Sequence, residues 1–426
     1  MEEMRPYTNG ALAQLLQLGL NRWGNQGLKT DGVLGSKTKN ILIRFQKTYG
    51  LKPDGIPGSK TLEKMTPYFT GFAQHTLRRG DSFYKIAKAY GTGINAIKTA
   101  NPNMNPQNLK IGNKIIVPLG FPVIPEGISI GSTALSYFIQ GLAARYPFLV
   151  FSDMGTSVMG KPLHTLELGR GENTVFYSAA HHANEWITTP LLLRFAEELC
   201  LAYARGGKIF GIPAASIFKL SKIYIAPCIN PDGVDLVVGE LNSGSEFENA
   251  LEISKSYPQI PFPEGWKANI LGTDLNLQYP ANWKTAREIK YKQGFNKPAP
   301  RDFVGSAPLS QPEAAAVYSF TKSIEPNLIL AYHTQGEVIY WKYLDFEPPM
   351  SREISLRFCE VSGYAGDETP YASGFAGFKD WFIEKYNKPG YTIEAGLGAS
   401  PLPVSMLPDI YKDNIGILTE GTILTA

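Results

Sequence analysis

The chain has 426 residues, and at roughly 150 per domain that length suggests about three domains. Lys+Arg number 41 and Asp+Glu 38, a net charge of +3, with 19% charged and 43% apolar residues, so neither a disordered chain nor an electrostatic nucleic-acid binder is indicated. The longest unbroken apolar run, Leu199 to Ala204, is far short of the ~20 residues of a membrane-spanning helix, and three cysteines (Cys200, Cys228, Cys359) without C-x-x-C spacing argue against a disulfide framework or a thiolate metal site.

The opening residues, MEEMRPYTNG, carry no basic-then-apolar leader segment. Leu12, Leu15, Leu16 and Leu20 then fall on one helical face. DGVLGSKT at residues 31–38 returns as DGIPGSKT at 54–61, an internal repeat. Asp-Gly followed by Gly is turn chemistry, and Ser36 and Ser59 are predicted to cap the helices that follow. The helix after the first copy carries Leu42, Phe45, Gln46 and Tyr49 as its inward stripe. G-S-K-T lacks the spacing of a phosphate loop. The expectation is a small all-α module over residues 1–70.

Residues 74–119 predict a second small module. A strand, Gln74 to Leu77, leads to Asp81 or Ser82 as cap of a helix whose inner face is Phe83, Ile86, Ala87 and Tyr90. Gly91 supplies a left-handed stop, a second helix holds Ile94 and Ile97, and Asn101-Pro102 ends it. Lys114 to Val117 is a closing strand, giving the order β-α-α-β. His75 reads as a half-exposed strand residue. Residues 120–129 are Pro- and Gly-rich, a linker, and residues 130–426 suffice for one large α/β domain.

Two resemblances follow from these stretches. LQLGLNRWG through DGIPGSKTLEKM, with D-G-x-x-G-x-x-T repeated around F-Q, resembles the helical peptidoglycan-binding domain of bacterial wall hydrolases. Residues 74–119, with G-D at the start, N-P in the middle and a final I-x-V-P, resemble a LysM domain, which implies binding to N-acetylglucosamine-containing glycans such as peptidoglycan or chitin.

In the third domain TVFYSAA (174–180) is a strand-length apolar run followed at once by HHANEW. Thr189 and Pro190 are predicted as N-cap and first residue of the next helix. His181, His182 and Glu185 therefore lie between a strand's C-terminal end and a helix, the edge of an α/β sheet where ligands collect. Catalytic zinc takes three protein ligands, His₂Glu among the known sets, and keeps a position for water. Only five histidines are available: His75, His164, His181, His182 and His333. NLILAYH ends a strand at His333 and YTIE ends another at Glu394. Each residue alone has an ordinary explanation: a stacked surface His181-His182 pair, a satisfied core His333, a strand-end ion pair for Glu394. Their joint placement at strand ends is what points to a metal centre.

HHANEW, CINPDGVD, GTDLNLQYPANW, AYHTQGEVIYW, GFAGFKDWF and YTIEAG, in this order over residues 130–426, resemble the zinc carboxypeptidase family. The resemblance implies a large α/β domain with a mixed central sheet and one Zn²⁺ bound by His182, Glu185 and His333. It also implies Glu394 as the general base and acid acting on a water whose pKa zinc can lower to about 7. The family's oxyanion-stabilising Arg is matched by Lys267, which is a point charge without a guanidinium fork and which also reads as a solvated loop lysine. Asn276 matches a substrate-contacting Asn, and Tyr371 is the candidate for a substrate-capping Tyr, at a slightly different spacing. The Arg that clamps a substrate's C-terminal carboxylate is replaced by Leu277, which puts ordinary exopeptidase specificity in doubt.

Two wall-binding modules on such a peptidase look like the γ-D-glutamyl-diamino-acid endopeptidases of spore-forming bacteria. That resemblance implies cleavage between γ-D-glutamate and meso-diaminopimelate (or lysine) in peptidoglycan stem peptides, with peptidoglycan as partner, no nucleic acid, no membrane and an open oligomeric state. The alternatives are a murein or peptide carboxypeptidase of other bond specificity, and a catalytically silent wall-binding protein. Forespore, cytoplasm and cell wall all stay open as locations.

Overall fold

The computed structural model describes Tyr7 and residues 9–426, so the reading of the first residues as leaderless falls almost wholly outside the described residues. It divides into two units, Met1–Val150 and Phe151–Ala426. No helix among the described residues is long and apolar enough to cross a membrane.

The first unit begins with three helices, α1 (Gly10–Gly24), α2 (Ser36–Thr48) and α3 (Ser59–Thr70). Leu12, Leu15, Leu16 and Leu20 are all buried, as their helical spacing predicts. The repeated Asp-Gly turns are each closed by a buried glutamine. Gln17 donates to Asp31 Oδ1 (2.7 Å) and accepts from Gly32 N (3.0 Å). Gln46 donates to Asp54 Oδ1 (3.1 Å) and accepts from Gly55 N (2.9 Å). This explains a glutamine in the apolar stripe of α2: its amide satisfies the buried Gly55 N–H and holds the Asp54 carboxylate at the turn. Ser36 and Ser59 are not caps. They are the first helical residues, and Gly35 and Gly58 occupy the cap positions without a side-chain bond.

The same unit continues with β1 (Phe72–Thr76), α4 (Phe83–Tyr90), α5 (Ile94–Ala100) and β2 (Lys114–Pro118), with β1 and β2 antiparallel. Ser82 caps α4 by accepting from Lys85 N (3.2 Å), and Gly91 ends it at φ 63°. Leu77, Phe83, Ile86, Ile97, Ile115 and Val117 make its core. His75 is half-buried, against Asp81 (2.9 Å) and Tyr90 (3.2 Å). Helix α6 (Ser132–Arg145), beyond the Pro-rich stretch, belongs to this unit, and Arg145 ties it to Gly71 O (3.0 Å) and Leu119 O (2.9 Å).

The second unit is an α/β domain. Its strands are β3 (Val150–Thr156), β4 (Pro162–Gly169), β5 (Asn173–Ala179), the short pair β6 (Lys208–Ile209) and β7 (Ile212–Pro213), β8 (Ser221–Ala226), β9 (Leu328–His333), β10 (Val338–Tyr340), β11 (Ala365–Asp367) and β12 (Gly390–Glu394). Its helices are α7 (Thr188–Ala204), α8 (Ala214–Leu220), α9 (Pro231–Val237), α10 (Ser245–Lys255), α11 (Trp283–Lys292), α12 (Pro312–Ile324), α13 (Ser351–Ser362), α14 (Phe378–Tyr386) and α15 (Leu407–Glu420). Eight strands form one mixed sheet in the order β11-β10-β12-β9-β5-β8-β4-β3. Its centre, β12, β9, β5 and β8, is parallel, while β10 against β12 and β4 against β8 are antiparallel.

Parallel strands covered on both faces read as continuous apolar runs, and β9 is buried at every residue. Successive side chains of β5 go to opposite faces. Phe176 joins a core with Ile229, Leu277, Phe378 and Trp381, and Tyr177 on the other face donates to Leu418 O on α15 (3.1 Å). Burying a side chain such as Phe378 contributes about 1.5–3 kcal/mol. The register puts Glu394 opposite His333 and Tyr332 opposite Ala179, so the C-terminal ends of β12, β9 and β5 stand side by side. Helix α7 starts at Thr188, one residue before the predicted cap. Both threonines have other work: Thr188 Oγ1 accepts from Ala180 N (3.0 Å) and Thr189 Oγ1 donates to Pro227 O (2.7 Å).

Candidate active site

The chain leaves β5 through Ala180, at φ 50°, and turns through a short 3₁₀ segment, Ala183–Glu185, with His182 just before it. Residues of C-I-N-P-D-G hold this turn. Asn230 Nδ2 donates to Ala268 O (2.9 Å) and His181 O (3.3 Å), while Ala183 N donates to Lys267 O (3.0 Å). Gly233 has to be glycine, because a Cβ there would lie 2.7 Å from Ala268 O and 2.8 Å from Ala183 Cβ. The H-x-x-E turn and the 266–274 loop are thus locked to one another.

His182, Glu185 and His333 converge, with one ligand-type atom of each within 4.8 Å of the others, and all three are buried. His182 Nδ1 lies 3.0 Å from Glu185 Oε1, His333 Nδ1 lies 2.8 Å from Glu185 Oε2, and the two Nδ1 atoms are 3.2 Å apart. Bonds of 2.0–2.1 Å to a tetrahedral zinc would set ligand atoms about 3.3 Å apart, so the cluster already has the size of a zinc site. His182 Nε2 points the other way, to Asp274 Oδ1 at 3.0 Å. A carboxylate on the far ring nitrogen fixes the tautomer that leaves Nδ1 free to bind a metal. Which nitrogen carries hydrogen is inferred from this pairing.

The electrostatics fit a cation. Burial pushes the Glu185 carboxyl up, but His182, Lys267 and His333 outweigh it and hold the group well below the usual carboxylate range. Burial lowers the His182 ring, yet Glu185 and Asp274 bring it up to about 9. The cluster therefore retains a proton that a divalent ion would displace on binding.

An open cleft of about 210 Å³ lies at these strand ends, lined by His182, His333, Glu394, Lys267 and Asn276. Burial raises the Glu394 carboxyl, and the positive surroundings of His333 work against that rise. Lys267 Nζ lies 2.9 Å from Glu185 Oε1, so it belongs to the site and is not a solvated loop lysine. Asn276 Oδ1 accepts from Phe378 N (3.0 Å), which orients its amide. Leu277 also lines the cleft. Tyr371 lies on a short 3₁₀ segment, 70% exposed and outside the lining, with its ring against Phe375. His181 is buried against Tyr279 OH (3.1 Å) and stacks on Phe378, so it is a packing residue and not half of a surface pair.

Sequence reasoning passed over Asp274, although it stands two residues before Asn276 in the same motif. It also passed over Arg301 and Asp302, for which charge in P-R-D is the only local signal. The arrangement offers a triad for one divalent ion, a carboxylate beside it, an ammonium within reach and an open cleft.

Comparison with known proteins agrees with this geometry. The zinc carboxypeptidase family profile matches residues 135–415, a peptidoglycan binding domain profile residues 9–65, and a LysM domain profile residues 75–118. The chain is 40% identical over 286 residues to gamma-D-glutamyl-L-diamino acid endopeptidase 1 of Lysinibacillus sphaericus, a match spanning 67% of this chain and 70% of that protein. It is 35% identical over 340 residues to the uncharacterized protein YqgT of Bacillus subtilis, covering 79% and 86%. The fold resembles that of bovine thrombin-activatable fibrinolysis inhibitor, solved in complex with tick carboxypeptidase inhibitor, at a TM-score of 0.53 and 17% identity, covering 69% of this chain and 96% of that one.

Proposed function

The chain belongs to the zinc carboxypeptidase family, and from that premise we propose that it hydrolyses the amide bond between γ-D-glutamate and the diamino acid of peptidoglycan stem peptides. It is a zinc metallopeptidase, and its N-terminal modules are of peptidoglycan-binding types. The choice of bond is supported by the name of the Lysinibacillus relative and by Leu277, which leaves no bidentate clamp for a C-terminal carboxylate.

His182, Glu185 and His333 would hold the zinc ion, with Asp274 orienting His182 from behind. Zinc bound there supplies Lewis acidity and makes water acidic enough to attack at neutral pH. Glu394 accepts the proton of the attacking water and delivers it to the leaving amine, and its raised pKa suits both duties. Lys267 stabilises the negative charge that grows on the former carbonyl oxygen. Asn276, held by Phe378 N, turns its amide N–H groups to the substrate. The modules keep stem peptides near the cleft, which raises their effective concentration without any new contact.

The observation that carries this reading is the buried His182–Glu185–His333 triad beside Glu394 at the end of the parallel strands. Defined stem tripeptide and tetrapeptide, digested by the full chain and weighed by mass spectrometry, test it. The expected products are L-Ala-D-Glu with the free diamino acid, and L-Ala-D-Glu with the diamino acid bearing its D-Ala, both lost with chelator and restored by zinc. Release of the terminal D-Ala alone would contradict it.

A further inference from the structure

The cleft has no carboxylate clamp at Leu277, yet it presents a guanidinium elsewhere. Arg301 lies on the segment between α11 and α12 and lines the cleft. Its backbone is strapped to the 266–274 loop on both sides: Pro300 O accepts from Lys267 N (2.7 Å) and Ala268 N (2.9 Å), and Phe303 O accepts from Asp274 N (2.8 Å). Asp302, at φ 66°, donates its own N–H to Asp274 Oδ2 (3.2 Å), in a left-handed conformation that Asp tolerates better than most residues. That bend turns the Asp302 carboxylate to Lys290 Nζ (2.6 Å) and to Arg301 Nε (2.6 Å). Arg301 is therefore fixed beside Asp274, which itself contacts metal-site His182, and its charge acts on Lys267, Asp274 and Glu185.

The other cations of the cleft are already engaged. Lys267 pairs with Glu185, Lys290 with Asp302, and Lys379 with Asp380 (2.6 Å) and Lys342 O (2.7 Å). In Arg301 only Nε has a hydrogen-bond partner among the described residues, and the side chain is 44% exposed. Its two terminal nitrogens form an open, planar fork, the shape that receives a carboxylate through two parallel bonds.

A γ-linked glutamyl residue has such a carboxylate. Its scissile carbonyl belongs to the side chain, so its α-carboxylate is free and sits roughly 5 Å from the reacting carbon along an extended stem. An ordinary peptide has an amide at the equivalent place. We propose that Arg301 determines specificity on the acyl side by receiving the free α-carboxylate of the γ-D-glutamyl residue, an assignment that rests on the function proposed above.

The test uses the full chain with zinc and two tripeptides, L-Ala-γ-D-Glu-diamino acid with its α-carboxylate free and the same peptide with that group as carboxamide. Wild type is expected to favour the carboxylate by about ten- to a hundredfold in kcat/KM, the usual worth of a charge-assisted pair. Arg301→Met should collapse that ratio to about one, mainly by loss on the carboxylate substrate, and Arg301→Lys should restore part of it. Equal wild-type rates on both peptides, or an unchanged ratio in Arg301→Met, would overturn the assignment. The wild-type comparison decides even where a variant folds poorly, which thermal melting and zinc content report. Failure to cut the γ-D-glutamyl bond in either peptide removes the functional reading and this assignment together, whereas cutting both without preference removes this assignment alone.

Discussion

At the scale of single residues, the proposed site divides into groups that would hold the metal and groups that would act on substrate, and the two kinds should fail differently. Glu394 is not part of the triad, so Glu394→Gln should keep its zinc while hydrolysis of the stem tripeptide falls by about 10²–10⁴, the usual worth of a general base. Elemental analysis of the same sample that is assayed separates this from simple loss of metal. Asp274 touches no substrate in the proposed scheme but accepts from His182 Nε2 (3.0 Å), Asn276 N (3.1 Å) and Asp302 N (3.2 Å). Asp274→Asn should weaken zinc binding by about 10- to 100-fold, read by competition with a graded series of chelators. An unchanged affinity would mean that the bond to His182 does not orient the ligand.

Among the elements, α12 supports the site from a distance. Glu313 in its first turn accepts from Val158 N (3.0 Å) and faces Asn269 Nδ2 (3.4 Å), and Asn269 organises the loop that carries Lys267 and Asp274. Burial pushes the Glu313 carboxyl up to about 7, with Asp232 adding to the rise and the Val158 N–H opposing it. Between about pH 4.5 and 7 the folded chain keeps a proton that the unfolded chain has released, so this group's contribution to stability falls as pH rises. Glu313→Gln has no such titration. Its stability relative to wild type should improve by on the order of 2 kcal/mol from pH 5 to pH 7.5, measured by denaturant unfolding at each pH. A flat difference would show that Glu313 is ionised at a normal pKa.

The elements also mark how far the sequence could be read. The convergence of His182, His333 and Glu394 is legible because each comes at or just after an apolar run of strand length: His333 and Glu394 end β9 and β12, and His182 follows the end of β5. Helix starts are less so: a hydroxyl looks the same at the cap as inside the first turn, and the caps lie one residue before Ser36 and Ser59 and two before Thr189. Gln46 reads as part of the inward stripe of α2, but the reason for an amide there lies in the turn it closes, which the stripe does not encode. Asp274 and Arg301 have roles made by contacts between remote loops, which no local spacing encodes. Tyr371, at a spacing slightly different from the family's, is exposed and lies outside the cleft lining, so its capping role is a proposal for substrate-bound states.

For the whole molecule, targeting and catalysis reside in different units, and each should respond to its own competitor. Soluble N-acetylglucosamine oligomers, the ligand class that the LysM module implies, should slow digestion of insoluble peptidoglycan several-fold and leave hydrolysis of the free tripeptide unchanged. Turbidity loss of purified wall, run beside the tripeptide assay, measures both. Equal inhibition of the two would place the oligomers in the catalytic cleft.

The assignment of the metal to this triad supports every catalytic step, and anomalous diffraction at the zinc absorption edge from crystals of the full chain tests it most directly. One strong peak enclosed by His182 Nδ1, His333 Nδ1 and the Glu185 carboxylate, at about 2.0–2.2 Å from each, is the predicted result. A peak elsewhere, or none in crystals of protein that still cleaves the tripeptide in the presence of a chelator, would contradict it.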